Sequence, residues 1–190
     1  MADTGTITLA RTAFDDAPIE GRGVQLATEP QLGIAKLQIL AADPDGWFET
    51  ALGISPPPVL GEIQPGPVAI AWLAPGEWLV TGDEADKRDE TWCLWDAEGE
   101  RAGTRGAEAA GNLGLMVDIT HARATFELRG PKAASVLAAH CPLDFAEETM
   151  PVGAARRSTF SDTGFFISRR PDRDGQPCFR LIFDQTMAGY

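Results

Sequence analysis

The sequence has few of the residues from which metal and catalytic centres are usually built. Its 190 residues include two histidines, His121 and His140, and three cysteines, Cys93, Cys141 and Cys178. No Cys-x-x-Cys or His-x-x-x-His pair occurs, so the ligand spacing of a structural zinc site is missing. Three widely separated cysteines are not a disulfide framework and are typical of a reducing compartment. We therefore expect no metal on this chain and a cytoplasmic location.

Phosphate-binding loops, signal sequences and membrane spans are also missing. Gly21-Arg-Gly23 has no third glycine, and Gly130-Pro131-Lys132 has neither the leading loop nor the following Ser or Thr. No apolar run approaches the roughly 20 residues that span a bilayer, and the N-terminus has no basic start. The 28 acidic against 16 basic residues give a net charge of −12, which opposes binding to nucleic acid or anionic membranes.

Strong start and stop signals predict a strand, a helix and a hairpin in residues 32–112. Residues 32–40 are a largely apolar strand, and Asp43 with Pro44 opens a helix that Gly53 ends. Residues 68–73 and 78–81 then form two strands around a turn that contains Gly76.

The same order of signals recurs in residues 113–190. Residues 124–128 alternate as a half-buried strand, Gly130-Pro131 opens a helix through Ala139, and residues 158–160 and 165–167 form a hairpin. In each half, 34 residues separate the helix-opening proline from the aromatic residue that begins the second hairpin strand. This spacing predicts an internal duplication. The expected fold class is α+β: two strand-helix-hairpin halves in one compact unit, with helices packed on a shared mixed or antiparallel sheet, after an N-terminal extension of residues 1–31.

Two segments are candidates for contact with another protein. The highly charged stretch of residues 82–111 carries Trp92 and Trp95, which either pack on the sheet or mark an interface. A strand over residues 179–183 precedes an apolar tail, which either lies along a partner or frays. The possible interface residues are Trp92, Trp95, Phe183, Met187 and Tyr190.

Three further groups could carry chemistry, and each has a structural alternative. The arginines Arg156-Arg157, Arg169-Arg170 and Arg173 could clamp a carboxylate or phosphate, or form ion pairs with Asp162, Asp172 and Asp174. His140 and Cys141 are adjacent, so their side chains diverge, and the cysteine is expected to be a small apolar residue. Asp118 and His121 would face opposite sides of an extended segment, unless a turn lies between them.

Residues 116–144 resemble the opening of the folate-dependent aminomethyltransferase family, which includes the glycine-cleavage T protein. The matching features are the turn from Asp118 to His121, the following strand, the Gly130-Pro131-Lys-Ala133 helix start and the Leu143-Asp144 exit. The chain is more similar to gamma subunits of heterotetrameric sarcosine oxidase. That likeness rests on the tryptophan hairpin of residues 72–80, on Cys141-Pro142-Leu143-Asp144 and on the closing residues 183–188.

The resemblance implies a non-catalytic accessory subunit with no cofactor of its own. Its partners would be the alpha, beta and delta subunits, which together hold FAD, FMN, NAD, tetrahydrofolate and zinc. Such an assembly oxidises sarcosine to glycine, passes the methyl carbon to tetrahydrofolate or releases it as formaldehyde, and reduces oxygen to hydrogen peroxide. At 190 residues the chain supplies about half of an aminomethyltransferase fold. The alternatives are a stand-alone folate-binding or aminomethyl-transferring protein and an unrelated acidic binding domain.

Overall fold

A computed structural model of the protein describes residues 18–40, 42–83 and 114–187. The strands in these ranges are β1 Ile19–Gly21, β2 Val24–Thr28, β3 Leu32–Ile39, β4 Glu62–Ile63, β5 Ala69–Ala74, β6 Glu77–Asp83, β7 Gly114–Asp118, β8 Arg123–Arg129, β9 Ala155–Phe160, β10 Thr163–Arg173 and β11 Gln176–Asp184. The α-helices are α1 Pro44–Leu52 and α2 Ala133–Ala138, and 3₁₀ turns span Thr120–Ala122 and Gln185–Met187.

The strands form two sheets, and every described pairing is antiparallel. The first sheet has the order β4-β5-β6-β3-β7, and the second has the order β1-β2-β8-β11-β10-β9. The expectation of one shared sheet is therefore wrong. The physical reason is visible in β3, where Ile34 and Ala35, on opposite faces, are both buried. A strand that buries both faces belongs to a sheet with a packed layer on either side.

The two sheets lie face to face, and each outer face carries one of the two helices in the described ranges. The first core, between α1 and the first sheet, contains Ala35, Leu37, Ile39, Trp47, Phe48, Val68, Ile70, Trp78 and Val80. The inter-sheet core contains Ile34, Ala71 and Leu79 from the first sheet and Ala155, Phe166 and Ile182 from the second. The second core, on the other side of the second sheet, includes Ala133 and Leu137 of α2. The order of layers is helix, sheet, sheet, helix.

Helix α1 begins and ends where the sequence predicts. The Asp43 carboxylate accepts a hydrogen bond from Gly46 N at 3.1 Å, and Pro44 occupies the first turn. Gly53 takes the left-handed conformation, and its N–H bonds to Glu49 O, which satisfies an end carbonyl. Helix α2 is shorter than predicted, because Gly130 has a φ of 128° and the chain becomes helical only at Ala133.

The two sheets share a strand order, although not in the way the 34-residue spacing predicts. The order β4-β5-β6-β3-β7 corresponds to β9-β10-β11-β8-β2, with a helix after β3 and another after β8. In this correspondence β6 matches β11, whereas the equal spacing matches Trp78 of β6 with Phe165 of β10. The hairpin comparison is therefore wrong by one strand. The counterpart of β9 is β4, which has two residues and leaves no pattern in the sequence.

The strand that precedes each half along the chain belongs to the sheet of the other half. β2 pairs with β8 in the second sheet, and β7 pairs with β3 in the first. The two segments that pass from one sheet to the other, which we call crossings, are held by equivalent hydrogen bonds. Glu29 N donates to Thr125 O at 3.0 Å, and Ile119 N donates to Ile34 O at 2.9 Å. Strand pairing therefore crosses both predicted boundaries. β2, which lies before residue 31, pairs with β8, and β7, which lies after residue 112, pairs with β3.

Candidate functional site

A cavity of about 620 Å³ opens between the two sheets. Its apolar lining includes Leu79 of the first sheet and Phe166 and Ile182 of the second, all of which belong to the inter-sheet core. The other lining residues are Lys36, Leu73, Glu77, Ile119, Arg123, Arg157, Ser158, Gly164, Phe165, Phe183 and Asp184. An apolar floor with a few convergent polar groups is typical of binding sites, and the volume is within their usual range.

Five charged side chains from the described part of the chain line this cavity, and four of them form two ion pairs. Lys36 Nζ lies 2.9 Å from Glu77 Oε2, and Arg123 Nη1 lies 3.0 Å from Asp184 Oδ2. The fifth is Arg157, which is exposed and has no carboxylate partner within the described ranges. Among the described residues, the cavity lining therefore carries one uncompensated positive charge, in a chain whose net charge is −12.

Asp184 is held rigidly at the rim of the cavity. Its Oδ1 accepts hydrogen bonds from Thr186 N at 3.1 Å and from Thr186 Oγ1 at 2.7 Å. These bonds from Thr186, with a smaller contribution from Arg123, lower the pKa of the Asp184 carboxyl. The ionised carboxylate consequently fixes both the Arg123 side chain and the 3₁₀ turn Gln185–Met187.

The sequence-predicted arginine cluster does not form a single anion clamp. Arg156 donates to the carbonyls of Leu60, Ala155 and Thr149, and burial lowers the pKa of its guanidinium. Arg157, its neighbour on the strand, points to the other face of β9, opposite Phe166. The alternation of side chains along β9 thus separates these two arginines.

The other arginines of the cluster are engaged in structural contacts. Arg169 pairs with Asp172 and lies 5.1 Å from the centre of the Phe179 ring. Arg170 pairs with Glu62 of the first sheet, and Arg173 lies 2.9 Å from Glu127. The predicted ion pair with Asp172 is confirmed, while Asp174 pairs with Arg129 at 3.6 Å. Glu62 and Glu127 were missed because each lies far from its arginine along the chain.

The polar network at the other end of the inter-sheet layer was not predicted either. Arg180 binds Glu29 through two contacts of 2.8 Å and donates to Thr81 Oγ1 at 3.3 Å. Burial opposes the charge on Arg180, but the hydrogen bonds and charge of Glu29 outweigh it and raise the Arg180 pKa. Nearby, burial, assisted by Glu127, raises the pKa of Cys178 to about 11. Burial and the raised pKa both disfavour the thiolate form of this cysteine.

Cys93 lies outside the described residues, and the adjacent His140 and Cys141 have different neighbours in the fold. Cys141 is buried, with its Sγ 3.4 Å from Ser158 Oγ, while the His140 ring lies 5.0 Å from that of Phe160. A turn does separate Asp118 from His121, since Thr120 N bonds to Asp118 Oδ1 at 2.9 Å. Within residues 18–40, 42–83 and 114–187, no three His, Cys, Asp or Glu side chains are grouped as metal ligands.

Two of the five predicted interface residues lie in the described ranges. Phe183 is half-buried and stacks on Phe165, with ring centres 5.2 Å apart, beside the second core. Met187 is half-buried in the last 3₁₀ turn. Trp92, Trp95 and Tyr190 lie outside the described residues, so the proposed interface role of all five stays a prediction.

A different exposed apolar surface was missed by the sequence analysis. Val59, Leu60 and Val152 are 70%, 41% and 55% exposed. They lie on two neighbouring segments, which are joined because Ala155 N donates to Leu60 O at 2.9 Å and Glu62 N donates to Gly153 O at 2.7 Å. We call Val59, Leu60 and Val152 the valine-leucine patch. The available signal was the presence of large aliphatic residues in proline-rich loops outside any predicted strand.

No helix in the described part of the chain has the length and apolar content of a membrane span.

The fold is of the aminomethyltransferase type. The structure matches the glycine cleavage system aminomethyltransferase T from Bartonella henselae with a TM-score of 0.61 and 14% identity, over 88% of this chain and 44% of that one. No family model matches the chain.

The chain is also similar to sarcosine oxidase components. It is 26% identical over 137 residues to a sarcosine oxidase subunit gamma from Arthrobacter sp.. A chain of the heterotetrameric sarcosine oxidase from Corynebacterium sp. U-96, in complex with pyrrole 2-carboxylate, matches with a TM-score of 0.65 and 21% identity, over 90% of this chain and 82% of that one. The sequence match spans 71% of this chain and 61% of the curated relative. These matches confirm the resemblance noted in the sequence.

Proposed function

We propose that this protein is a non-catalytic accessory subunit, equivalent to gamma, of a heterotetrameric sarcosine oxidase. The observation that carries the proposal is the agreement of two comparisons: the sequence is similar to a sarcosine oxidase subunit gamma, and the fold matches a chain of a heterotetrameric sarcosine oxidase. In this role the chain contributes binding surface to the assembly, and the other subunits oxidise sarcosine to glycine.

The geometry supports a docking role. The valine-leucine patch places three large aliphatic side chains in solvent next to the bridge between Gly61 and Ala154. Isolated exposed apolar residues are ordinary, and we infer that these three, carried by two neighbouring segments, contribute to an interface. The inter-sheet cavity gives a second concave surface on the same molecule.

The partners and cofactors follow from the same proposal. We infer that the chain assembles with alpha, beta and delta subunits and that FAD, FMN, NAD, tetrahydrofolate and zinc reside on them. In this view the chain binds no cofactor, lies in the cytoplasm, and contacts its partners partly through Trp92, Trp95, Phe183, Met187 and Tyr190. The buried, unpaired Cys141 and Cys178 are compatible with a reducing compartment.

A stand-alone folate-binding or aminomethyl-transferring protein is the second candidate. The observation that favours it is the fold match to aminomethyltransferase T, together with an open inter-sheet cavity of about 620 Å³. It predicts that the isolated chain binds tetrahydrofolate and transfers to it the methylene carbon of an aminomethyl donor, whose amine is released.

One experiment separates the two candidates. The chain is purified alone and after co-expression with the alpha, beta and delta subunits, and both samples are assayed with sarcosine and, separately, with an aminomethyl donor, each in the presence of tetrahydrofolate. The accessory role predicts an inactive, colourless chain alone, and a single chromatographic species with flavin absorbance and oxidase activity after co-expression. Turnover of an aminomethyl donor by the isolated chain, with no association on co-expression, would favour the independent enzyme.

We also propose that the two halves arose by duplication. The matched order of five strands, the helix after β3 and after β8, and the equivalent anchoring of the two crossings support this. A crystal structure would test it, because β3-α1-β4-β5-β6 should superpose on β8-α2-β9-β10-β11 as one set. Helices that fall on different faces after the strands are aligned would refute the duplication.

A further inference from the structure

Arg157 is the feature of the inter-sheet cavity that the structure leaves without a carboxylate partner in its described ranges. It lies on β9, the outermost described strand of the second sheet, and its neighbour on the adjacent strand is Phe166. Directly opposed residues share a face of the sheet, so Arg157 lies on the same face as the cavity floor. A guanidinium at the mouth of the cavity thus adjoins the buried apolar side chains of Phe166 and Ile182.

The charge around Arg157 favours an anionic occupant. The two other cations of the lining are compensated, because Lys36 pairs with Glu77 and Arg123 pairs with Asp184. An arginine fork binds a carboxylate with two parallel hydrogen bonds, and this interaction strengthens where apolar surface excludes water. The apolar floor in turn favours an occupant with a hydrophobic part next to its charge.

We propose that the cavity receives an acidic side chain of a partner subunit, with its carboxylate on Arg157 and an apolar neighbour on the floor formed by Leu79, Phe166 and Ile182. The inference rests on the proposed function and names a contact by which the subunit docks. A protein segment fits this place because Arg157 is exposed on an outermost strand, where a chain can approach from the side, while the floor lies deeper between the sheets.

The test uses the intact subunits and three variants of this chain. Arg157→Glu reverses the charge, Arg157→Lys keeps the charge but removes the fork, and Arg22→Glu is the matched control. Arg22 is an exposed arginine in the turn between β1 and β2, at the opposite edge of the same sheet. Each variant is titrated against the immobilised complex of the alpha, beta and delta subunits, at low and high salt.

We expect Arg157→Glu to weaken binding at least about 10-fold, mainly through faster dissociation, because it faces the partner's carboxylate with a like charge in the interface. Arg157→Lys should weaken binding about 3-fold, because the two parallel hydrogen bonds of the guanidinium are lost. Arg22→Glu should stay within about 2-fold of the wild type. Circular dichroism and the unfolding midpoint show whether each variant is folded. Hydrogen exchange of residues 156–160, which should slow when the wild-type complex forms, gives a second readout should a variant fail to fold.

The outcomes separate this inference from the proposed function. Wild-type and Arg157→Glu chains that bind the other subunits equally would overturn the inference and leave the accessory role standing. A wild-type chain that does not bind them at all would refute both. Benzoate serves as the small-molecule probe in calorimetry with the isolated chain. If benzoate binding depends on Arg157 but assembly with the other subunits does not, the cavity would be assigned to a small carboxylate. That result would overturn docking through the cavity.

Discussion

Arg180 on β11 of the second sheet binds Glu29 on the crossing to the first sheet, with the Nε–Oε2 and Nη2–Oε1 distances both 2.8 Å. The same guanidinium donates to Thr81 of the first sheet at 3.3 Å. One side chain therefore joins both sheets and the segment that passes between them. Because the Arg180 and Glu29 side chains are only 12% and 21% exposed, the pair is largely shielded from solvent.

Replacing Arg180 by Met should destabilise the protein by about 2–4 kcal/mol, because it leaves the Glu29 carboxylate partly buried without its partner. The measurement is urea unfolding followed by circular dichroism. The matched control is Arg123→Met, because its partner carboxylate Asp184 is 50% exposed, and about 0–1 kcal/mol is expected there. Adding Glu29→Gln to Arg180→Met should recover part of the loss, and an equal loss in both single variants would argue against this role.

Gly130→Ala should destabilise the protein by about 3 kcal/mol or more, because a steric clash is added to an unfavourable backbone conformation. A Cβ at this position would lie 2.5 Å from Gly23 O and 3.0 Å from Val24 Cα, and φ is 128°. Gly164→Ala is the control, since a Cβ there meets nothing within 4 Å. The two unfolding midpoints should therefore move apart, with Gly164→Ala unchanged or slightly raised. Equal midpoints would show that the β1-β2 hairpin can move away.

Leu60→Gly should leave the isolated chain equally stable or raise its stability by up to about 1 kcal/mol, because leucine is strained in the left-handed region. Leu60 has a φ of 60°, held by the hydrogen bonds that its carbonyl accepts from Ala155 N and Arg156. Val59→Gly, at an exposed neighbour outside that region, should lose about 0.5–1 kcal/mol. Thermal unfolding of both variants compares them. A clear loss of stability in Leu60→Gly would mean that the leucine packs within its own chain.

The free energy of unfolding at acidic pH should depend on Asp184. Thr186 lowers the folded-state pKa of this carboxyl below its usual value of 3.8, so its stabilising effect is complete above that value and is lost as the pH falls through the lower, folded pKa. In Asp184→Asn, the deficit relative to wild type should be constant near neutral pH and shrink below about pH 4. Urea midpoints measured between pH 2 and pH 7 test this. A deficit unchanged down to pH 2 would contradict the assignment.

Local signals in the sequence predicted individual elements well. Asp43, Pro44 and Gly53 define α1 because capping groups act on the backbone within three or four residues of themselves. The hairpins at β5-β6 and β9-β10 were also predicted from alternation and turn residues. Gly130 was recognised as part of a helix-start motif. A glycine is required there because Gly23, which is distant in the sequence, approaches closely, and no local pattern shows this contact.

The pairing of the strands depends on contacts between residues far apart in the sequence. Nothing in residues 24–28 or 114–118 shows that each strand joins the sheet of the other half, because an antiparallel edge position is open to any strand of suitable pattern. Ion pairs such as Arg170 with Glu62 are hidden for the same reason. The cavity likewise arises between strands of the two sheets that are distant in sequence, so Arg157 could be recognised as a basic residue but not as part of its lining.

The most direct test of the accessory role is native mass spectrometry of this chain co-expressed with the alpha, beta and delta subunits. The account predicts one dominant species that contains one copy of each subunit and carries flavin, and removal of this chain from the co-expression should shift that species by 20.3 kDa. A wild-type chain that remains at 20.3 kDa, beside an assembly of the other three subunits with full sarcosine oxidase activity, would contradict the account.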